Sequence, residues 1–190
     1  MSDDIRVRRI ADADWDGIVA LESRAYAPLG LSEGRAALES RMRASPATCF
    51  ALDLAGELAG YLLALPYPES AYPELGETGG EPAPAPLPSR NLHLHDIVVA
   101  EELRHRGLAR HLLRHLTGTA LKHGYEKLSL VAVGGSETFW SARGFTARRG
   151  GVPPEGYGPT AVYMSKAVTA EAPSPEEETE MWADAGAPRA

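Results

Sequence analysis

The sequence predicts a single α/β domain. Its 190 residues fall within the roughly 100–200 residues of a typical domain. Hydrophobic residues make up 44% and charged residues 24%, which is the composition of a globular protein. Segments with the two-residue period of a strand also alternate along the chain with segments of helical period. Together these observations exclude collagen-like, coiled-coil and wholly disordered proteins.

The individual elements follow from the two periodicities. Residues 5–10 alternate as a strand, and Ile18, Leu21 and Ala25 share one face of a helix that begins after Asp14. Two strands separated by a glycine turn, residues 49–54 and 58–65, predict a hairpin. The remaining predicted elements are helices at 32–42, 106–123 and 136–142 and strands at 92–99, 127–133, 145–148 and 161–166.

Two segments lack either periodicity. Residues 66–89 are rich in proline and glycine, and a loop of this length inside a compact domain is usually functional or disordered. Residues 168–190 are rich in proline, glutamate and alanine, with six acidic residues against Arg189. We therefore expect a folded domain at 1–167 and a disordered acidic tail at 168–190.

Charge and composition exclude several partners. Most of the net charge of −7 lies in the tail, and the nearly neutral body lacks the basic footprint of a nucleic-acid-binding protein. No stretch approaches the roughly 20 apolar residues of a membrane span, and the acidic start is unlike a signal peptide. The single cysteine, Cys49, lies on an early strand and is expected to be a core residue rather than a nucleophile. We expect a cytoplasmic protein.

The strongest motif lies at residues 99–110, where an apolar strand leads through Arg-x-x-Gly-x-Ala into an amphipathic helix. Small residues at Gly107 and Ala109 let backbone amides approach a ligand, and a helix N-terminus attracts anions. The pattern predicts a pyrophosphate site that is neither a Walker A loop nor a dinucleotide fingerprint. A solvated, basic helix start is the alternative. Three arginines surround the loop: Arg104, Arg106 and Arg110.

On this loop and its flanking elements the sequence resembles the GNAT superfamily of acyl-CoA-dependent N-acyltransferases, over about residues 5–167. The segment Phe-Trp-Ser-Ala-Arg-Gly-Phe at 139–145 is similar to the family's Phe-Tyr-x-x-x-Gly-Phe signature. The resemblance implies a mixed, mostly antiparallel sheet flanked by helices and split to admit acetyl-CoA. The cofactor-binding residues that it implies are Ile97, Val98, Val99, Arg104, His105, Arg106, Gly107, Leu108, Ala109, Arg110 and Trp140.

One position departs from the family's pattern. Where the family often has a tyrosine that reprotonates the CoA thiolate, this sequence has Trp140, whose indole N–H is not a practical acid. Water, Tyr157 and Tyr163 are the alternative proton sources. Trp140 is expected either to contact the cofactor or to pack the short helix.

A second motif, Leu-His-Leu-His-Asp at 92–96, places His93 and His95 on one face of a strand. A neutral imidazole, with an unperturbed pKa of roughly 6.5, suits removal of a proton from an ammonium group. The motif is similar to the paired histidines of serotonin N-acetyltransferase, a GNAT member, and so implies that both act as the catalytic base. The alternatives are a solvent-facing pair and a metal site, which lacks a third ligand nearby in the sequence.

The resemblance implies acetyl transfer from acetyl-CoA to a primary amine by direct attack, with no covalent enzyme intermediate and no metal. The amine, a small molecule or a peptide, is expected to lie against residues 26–31 and the 66–89 loop, including Tyr67 and Tyr72. Its identity is not readable from the sequence, and a homodimer is left open. The alternative function is a non-catalytic acyl-CoA-binding regulatory domain, which Trp140 favours and the histidine pair opposes.

Overall fold

The computed structural model describes residues 4–76, 88–148 and 156–170. Every predicted element is present, with bounds within three residues of those expected. The strands are β1 (Ile5–Arg9), β2 (Cys49–Leu54), β3 (Glu57–Pro66), β4 (Asn91–Val99), β5 (Lys127–Ala132), β6 (Thr146–Ala147) and β7 (Val162–Ala167). The helices are α1 (Trp15–Tyr26), α2 (Arg35–Ala44), α3 (Leu108–Lys122) and α4 (Glu137–Ser141).

Within the described residues the strands form one seven-stranded sheet in the order β1-β2-β3-β4-β5-β7-β6. The β4–β5 pair is parallel, and the other five neighbouring pairs are antiparallel. The parallel pair requires a crossover, which α3 provides between the two strands. The expectation of a mixed, mostly antiparallel sheet flanked by helices is confirmed.

The sheet is split at its parallel pair. Strands β4 and β5 pair from Asn91↔Lys127 to Leu94↔Leu130. Beyond that point β4 stays paired with β3, whereas β5 stays paired with β7. The two strands therefore separate towards their C-terminal ends, and the opening confirms the expected split.

Helices cover the sheet on both faces. Leu108, Leu112, Leu116 and Ala120 form the buried stripe of α3, as their four-residue spacing predicts, and pack on one face of the sheet. On the other face α1 and α2 bury a second cluster that includes Cys49. Burial raises the pKa of the Cys49 thiol to about 12, so the thiol stays protonated as a core residue.

The folded body extends past residue 167. The backbone N–H of Val168 donates to the carbonyl of Glu126 at 2.9 Å, and the Val168 side chain packs against the core. Most of the predicted acidic tail, residues 171–190, lies outside the described residues, as do residues 77–87 of the proline-rich loop. No helix in the described part of the chain is long and apolar enough to cross a membrane.

Candidate active site

The loop between β4 and α3 leaves open space in front of the helix. Gly107 precedes α3 with a φ of +78°, a left-handed conformation that favours glycine, and His105 has a φ of +63°. A Cβ placed on Gly107 would meet no atom within 4 Å. Because the first N–H groups of a helix have no partner inside the helix, the start of α3 offers them to this space.

A cavity of about 790 Å³ fills the split between β4 and β5. Its walls come from β4, the loop, the start of α3, the end of β5 and the α4 region. Ten of the eleven predicted cofactor residues line it, and Arg106 does not. The ten are Ile97, Val98, Val99, Arg104, His105, Gly107, Leu108, Ala109, Arg110 and Trp140.

Some backbone N–H and C=O groups of β4 face this cavity. The N–H of Ala100 donates to the carbonyl of Ala59 at 2.8 Å and thus points towards β3. Successive residues of a strand turn their backbone groups to opposite sides, so Ile97 and Val99 turn theirs into the split. The backbone groups of Ile97 and Val99 therefore face the cavity where the family resemblance implies contacts with a cofactor.

Trp140 packs against two aromatic rings and also borders the large cavity. Its ring packs edge-on against Phe145 and Phe139, with centroid distances of 5.4 and 5.0 Å. Tyr157 and Tyr163, the alternative proton sources, instead form hydrogen bonds with the backbone of residues 70–73. Tyr157 Oη donates to the carbonyl of Pro73 at 2.5 Å, and Tyr163 Oη accepts the N–H of Ser70 at 2.9 Å.

Sequence reasoning did not identify Arg143 as a site residue. Its guanidinium lies 3.4 Å from the centroid of the Phe139 ring and borders the large cavity. Burial, and then the positive charge of Arg110, lower the pKa of Arg143. The two arginines therefore place positive charge at this end of the cavity. The only feature of the sequence that points to Arg143 is its position inside the 139–145 signature.

A β-bulge in β4 decides which side chains meet at the inner end of the split. Leu63 pairs with Asp96 and Ala64 with Leu94, so His95 is the extra residue. Strict alternation would put Asp96 on the face opposite His95. Instead, both border the large cavity and a smaller one beside it. Burial raises the pKa of Asp96 to about 6, although the hydrogen bond from Tyr61 opposes this shift.

His95 is paired with a carboxylate that is distant in sequence. Its Nε2 lies 2.5 Å from Glu33 Oε1, and the two side chains are 2% and 4% exposed. Burial acts to raise the pKa of Glu33, but the His95 hydrogen bond, the N–H of Gly76 and Arg41 together lower it to about 2. An ionised carboxylate can only accept, so Nε2 carries the proton of this bond. Nδ1 is buried and has no hydrogen-bond partner among the residues that the structure describes.

His93 has a different environment from His95, although their rings lie on the same face, 6.4 Å apart. The alternative of a solvent-facing pair is wrong, because His93 is 1% exposed. It lines neither cavity. Its Nδ1 is hydrogen-bonded to Ser129 Oγ at 3.0 Å, and the same hydroxyl accepts a hydrogen bond from Asn91 Nδ2. Burial is the main cause that lowers the pKa of His93 to about 3, and electrostatic interactions with His95 and with the Arg41 guanidinium act in the same direction.

This lowered pKa predicts acid sensitivity. An unfolded chain protonates His93 near its ordinary pKa of 6.5, whereas the folded chain keeps it neutral to about 3, so stability falls as the pH drops below 6.5. Between about pH 8 and pH 5 the loss is on the order of 2 kcal/mol. His93→Asn keeps a group that can hydrogen-bond with Ser129 but cannot titrate. Denaturant unfolding should show a shallower pH dependence for His93→Asn and the parental one for His111→Asn, an exposed control. Equal slopes in all three proteins would contradict the burial argument.

The metal interpretation of the histidine pair requires a third ligand. No group of three or more His, Cys, Asp or Glu side chains that could hold a metal ion occurs in residues 4–76, 88–148 and 156–170.

Comparisons with known proteins agree with this geometry. The sequence profile of the "Acetyltransferase (GNAT) family" matches residues 15–145, more than half of the chain. A search of curated protein sequences finds no significant match.

Solved structures match over nearly the whole described fold. The chain is similar to Ard1 from Thermoplasma volcanium, with 16% identity and a TM-score of 0.67, covering 87% of this chain and 98% of that one. It is similar to the loading GNATL domain of CurA from Lyngbya majuscula, with 15% identity and a TM-score of 0.70, covering 86% and 98%. A third match is the ribosomal-protein-S18-alanine N-acetyltransferase from Escherichia coli, with 17% identity and a TM-score of 0.60, covering 90% and 97%. At these identities the matches show the fold.

Proposed function

Because the chain belongs to the GNAT acetyltransferase family, we propose that it transfers an acetyl group from acetyl-CoA to a primary amine by direct attack. Members of this family are acyl-CoA-dependent acyltransferases. The observation that carries the amine-acetylating proposal is the buried His95–Glu33 pair at the inner end of the split, beside a cavity large enough for a cofactor.

The residues around the large cavity fit an acyl-CoA. The open helix start at Gly107 suits a pyrophosphate, because unpaired N–H groups and the helix dipole both attract anions. The backbones of Ile97 and Val99 suit the amide groups of a pantetheine chain, and Arg110 and Arg143 suit further anionic groups. Bound acetyl-CoA supplies an activated thioester.

His95 is the proposed base. Glu33 fixes the proton on Nε2, which leaves the lone pair of Nδ1 to take a proton from the ammonium group of the acceptor. The freed amine attacks the thioester carbonyl, so a C–N bond forms, and the C–S bond breaks as CoA leaves as a thiolate. The nitrogen loses its second proton through water to this thiolate, and the imidazolium returns its proton to solvent. Glu33 also stabilises the imidazolium that forms. His93, neutral and buried behind His95, is proposed as a positioning residue and not as a second base.

The second candidate is a non-catalytic acyl-CoA-binding domain, which Trp140 favours because it cannot serve as an acid. A panel of primary amines with acetyl-CoA distinguishes the two functions, using thiol release and the mass of the product. We expect amine-dependent thiol release above an amine-free control. Calorimetry that shows acetyl-CoA binding without thiol release for any amine would instead support the non-catalytic function.

A further inference from the structure

The smaller cavity has the dimensions of a small functional group. Its volume is about 40 Å³, and it adjoins the large cavity through shared lining residues, including Tyr26, His95 and Asp96. Because one water-sized group needs roughly 10–15 Å³, the space accommodates about three or four non-hydrogen atoms. An aminomethyl group, with two such atoms, therefore fits.

Among the described residues, two buried polar atoms that belong to the lining of this cavity have no partner in hydrogen-bonding geometry, although the Tyr26 hydroxyl lies near the Asp96 carboxylate. The two atoms are His95 Nδ1 and Asp96 Oδ1. The His95 side chain is 2% exposed and Asp96 is 6% exposed. The other atom of each group is engaged, since His95 Nε2 pairs with Glu33 and Asp96 Oδ2 accepts from Tyr61. Buried acceptors are normally satisfied, so these two atoms indicate a ligand that donates at least two hydrogen bonds.

The charge of the lining restricts that ligand further. Three acidic residues border the cavity, namely Glu22, Glu33 and Asp96, and no lysine or arginine is among its described lining residues. Glu22 is 1% exposed and accepts from Ser32 Oγ and the Glu33 N–H, each at 2.7 Å. The other walls are mostly apolar, from Leu31, Leu75, Val131 and Val133. A cation on an apolar stem matches this lining, and a carboxylate does not.

We propose that the smaller cavity binds the acceptor as a primary ammonium group on an apolar stem, and that it rejects amines with a carboxylate next to the nitrogen. One N–H donates to Asp96 Oδ1 and another to His95 Nδ1, which places the nitrogen beside the proposed base. A carboxylate on the adjacent carbon would lie against the acidic lining, where like charges repel. The inference rests on the proposed function, because the same His95 nitrogen accepts the proton, and it names the acceptor class.

Matched pairs test this class on the unaltered protein. Norvaline is n-butylamine with a carboxylate on the carbon next to nitrogen, and phenylalanine is related to phenethylamine in the same way. We expect kcat/KM to favour each amine over its amino acid by roughly a hundredfold or more. Equal kcat/KM within both pairs, or a preference for the amino acids, would overturn the acceptor class while leaving acetyl transfer intact. Absence of thiol release with all four compounds would overturn the proposed function itself.

A substitution tests the ammonium contact. Asp96→Asn keeps an acceptor for Tyr61 and removes the charge, so KM for n-butylamine should rise at least tenfold while KM for acetyl-CoA stays the same. The preference for butylamine over norvaline should also shrink. Asp16→Asn, whose side chain is 94% exposed on α1, is the charge-matched control and should behave as the parent. A folded Asp96→Asn with parental KM and parental preference would overturn the contact. The amine pairs decide the acceptor class even if this variant does not fold.

Discussion

Replacing His95 with glutamine is expected to lower kcat for amine acetylation by roughly 10²–10⁴-fold, the usual reach of general-base catalysis. The glutamine amide can still donate to Glu33, so the change removes the Nδ1 lone pair while keeping the buried hydrogen bond. KM for acetyl-CoA should stay near the parental value, because the cofactor-binding residues are unchanged. Steady-state kinetics and the mass of the product measure these effects.

The pH profile separates a base from a packing residue. Without His95 the amine must lose its proton to water, so kcat of the variant should keep rising towards the amine's own pKa, roughly 10 for an alkylamine. The parent should reach its plateau at lower pH. Glu33→Gln should also lower kcat at least tenfold. A neutral amide can donate as well as accept, so it no longer fixes the proton on Nε2. His123→Gln, at an exposed position, is the control. Parental rates and profiles in both variants would leave His95 a structural residue and make Asp96 the next candidate base.

Gly107→Glu is expected to abolish measurable acetyl-CoA binding. Gly107 borders the large cavity, and a side chain there would project into open space at the start of α3. The glutamate would fill that space and repel a pyrophosphate. The positive φ of +78° also strains any residue other than glycine, so the variant needs a control with the same strain.

Gly124→Glu provides that control. Gly124 follows α3 with a φ of +76° and is exposed, and a Cβ placed on it would likewise meet no described atom within 4 Å. The two variants therefore carry the same strain, bulk and charge, and they differ in which one borders the cavity. Calorimetry should show parental affinity for Gly124→Glu and none for Gly107→Glu. A folded Gly107→Glu with parental affinity would show that acetyl-CoA binds elsewhere.

Local patterns in the sequence were sufficient to predict the helices and strands of the fold. The four-residue spacing along α3 predicts its buried stripe, and the glycine turn predicts the β2–β3 hairpin, because both depend on residues close together in the chain. The Arg-x-x-Gly-x-Ala motif likewise predicts the helix start at Gly107. Strand alternation correctly puts His93 and His95 on one face, as their ring separation of 6.4 Å shows.

The different environments of the two histidines could not be derived from those patterns. His93 and His95 have the same local sequence context, yet one is enclosed behind Ser129 and the other borders both cavities. Desolvation depends on what the rest of the chain packs over a side chain, and here the neighbours come from other strands and loops. A pKa near 3 for His93 therefore has no signal in the sequence.

By itself the sequence determined the order of strands and helices, the helix start at Gly107 and the shared face of the histidines, because each depends on neighbours within a few residues. Only the tertiary structure decided the chemistry around His95. A one-residue bulge, set by the pairing of β4 with β3, brings Asp96 beside His95 against the strand period. Glu33 reaches Nε2 from 62 residues away because α1 and the segment after it pack on that face of the sheet. Contacts of this kind are fixed by packing between distant segments, which local periodicity does not encode.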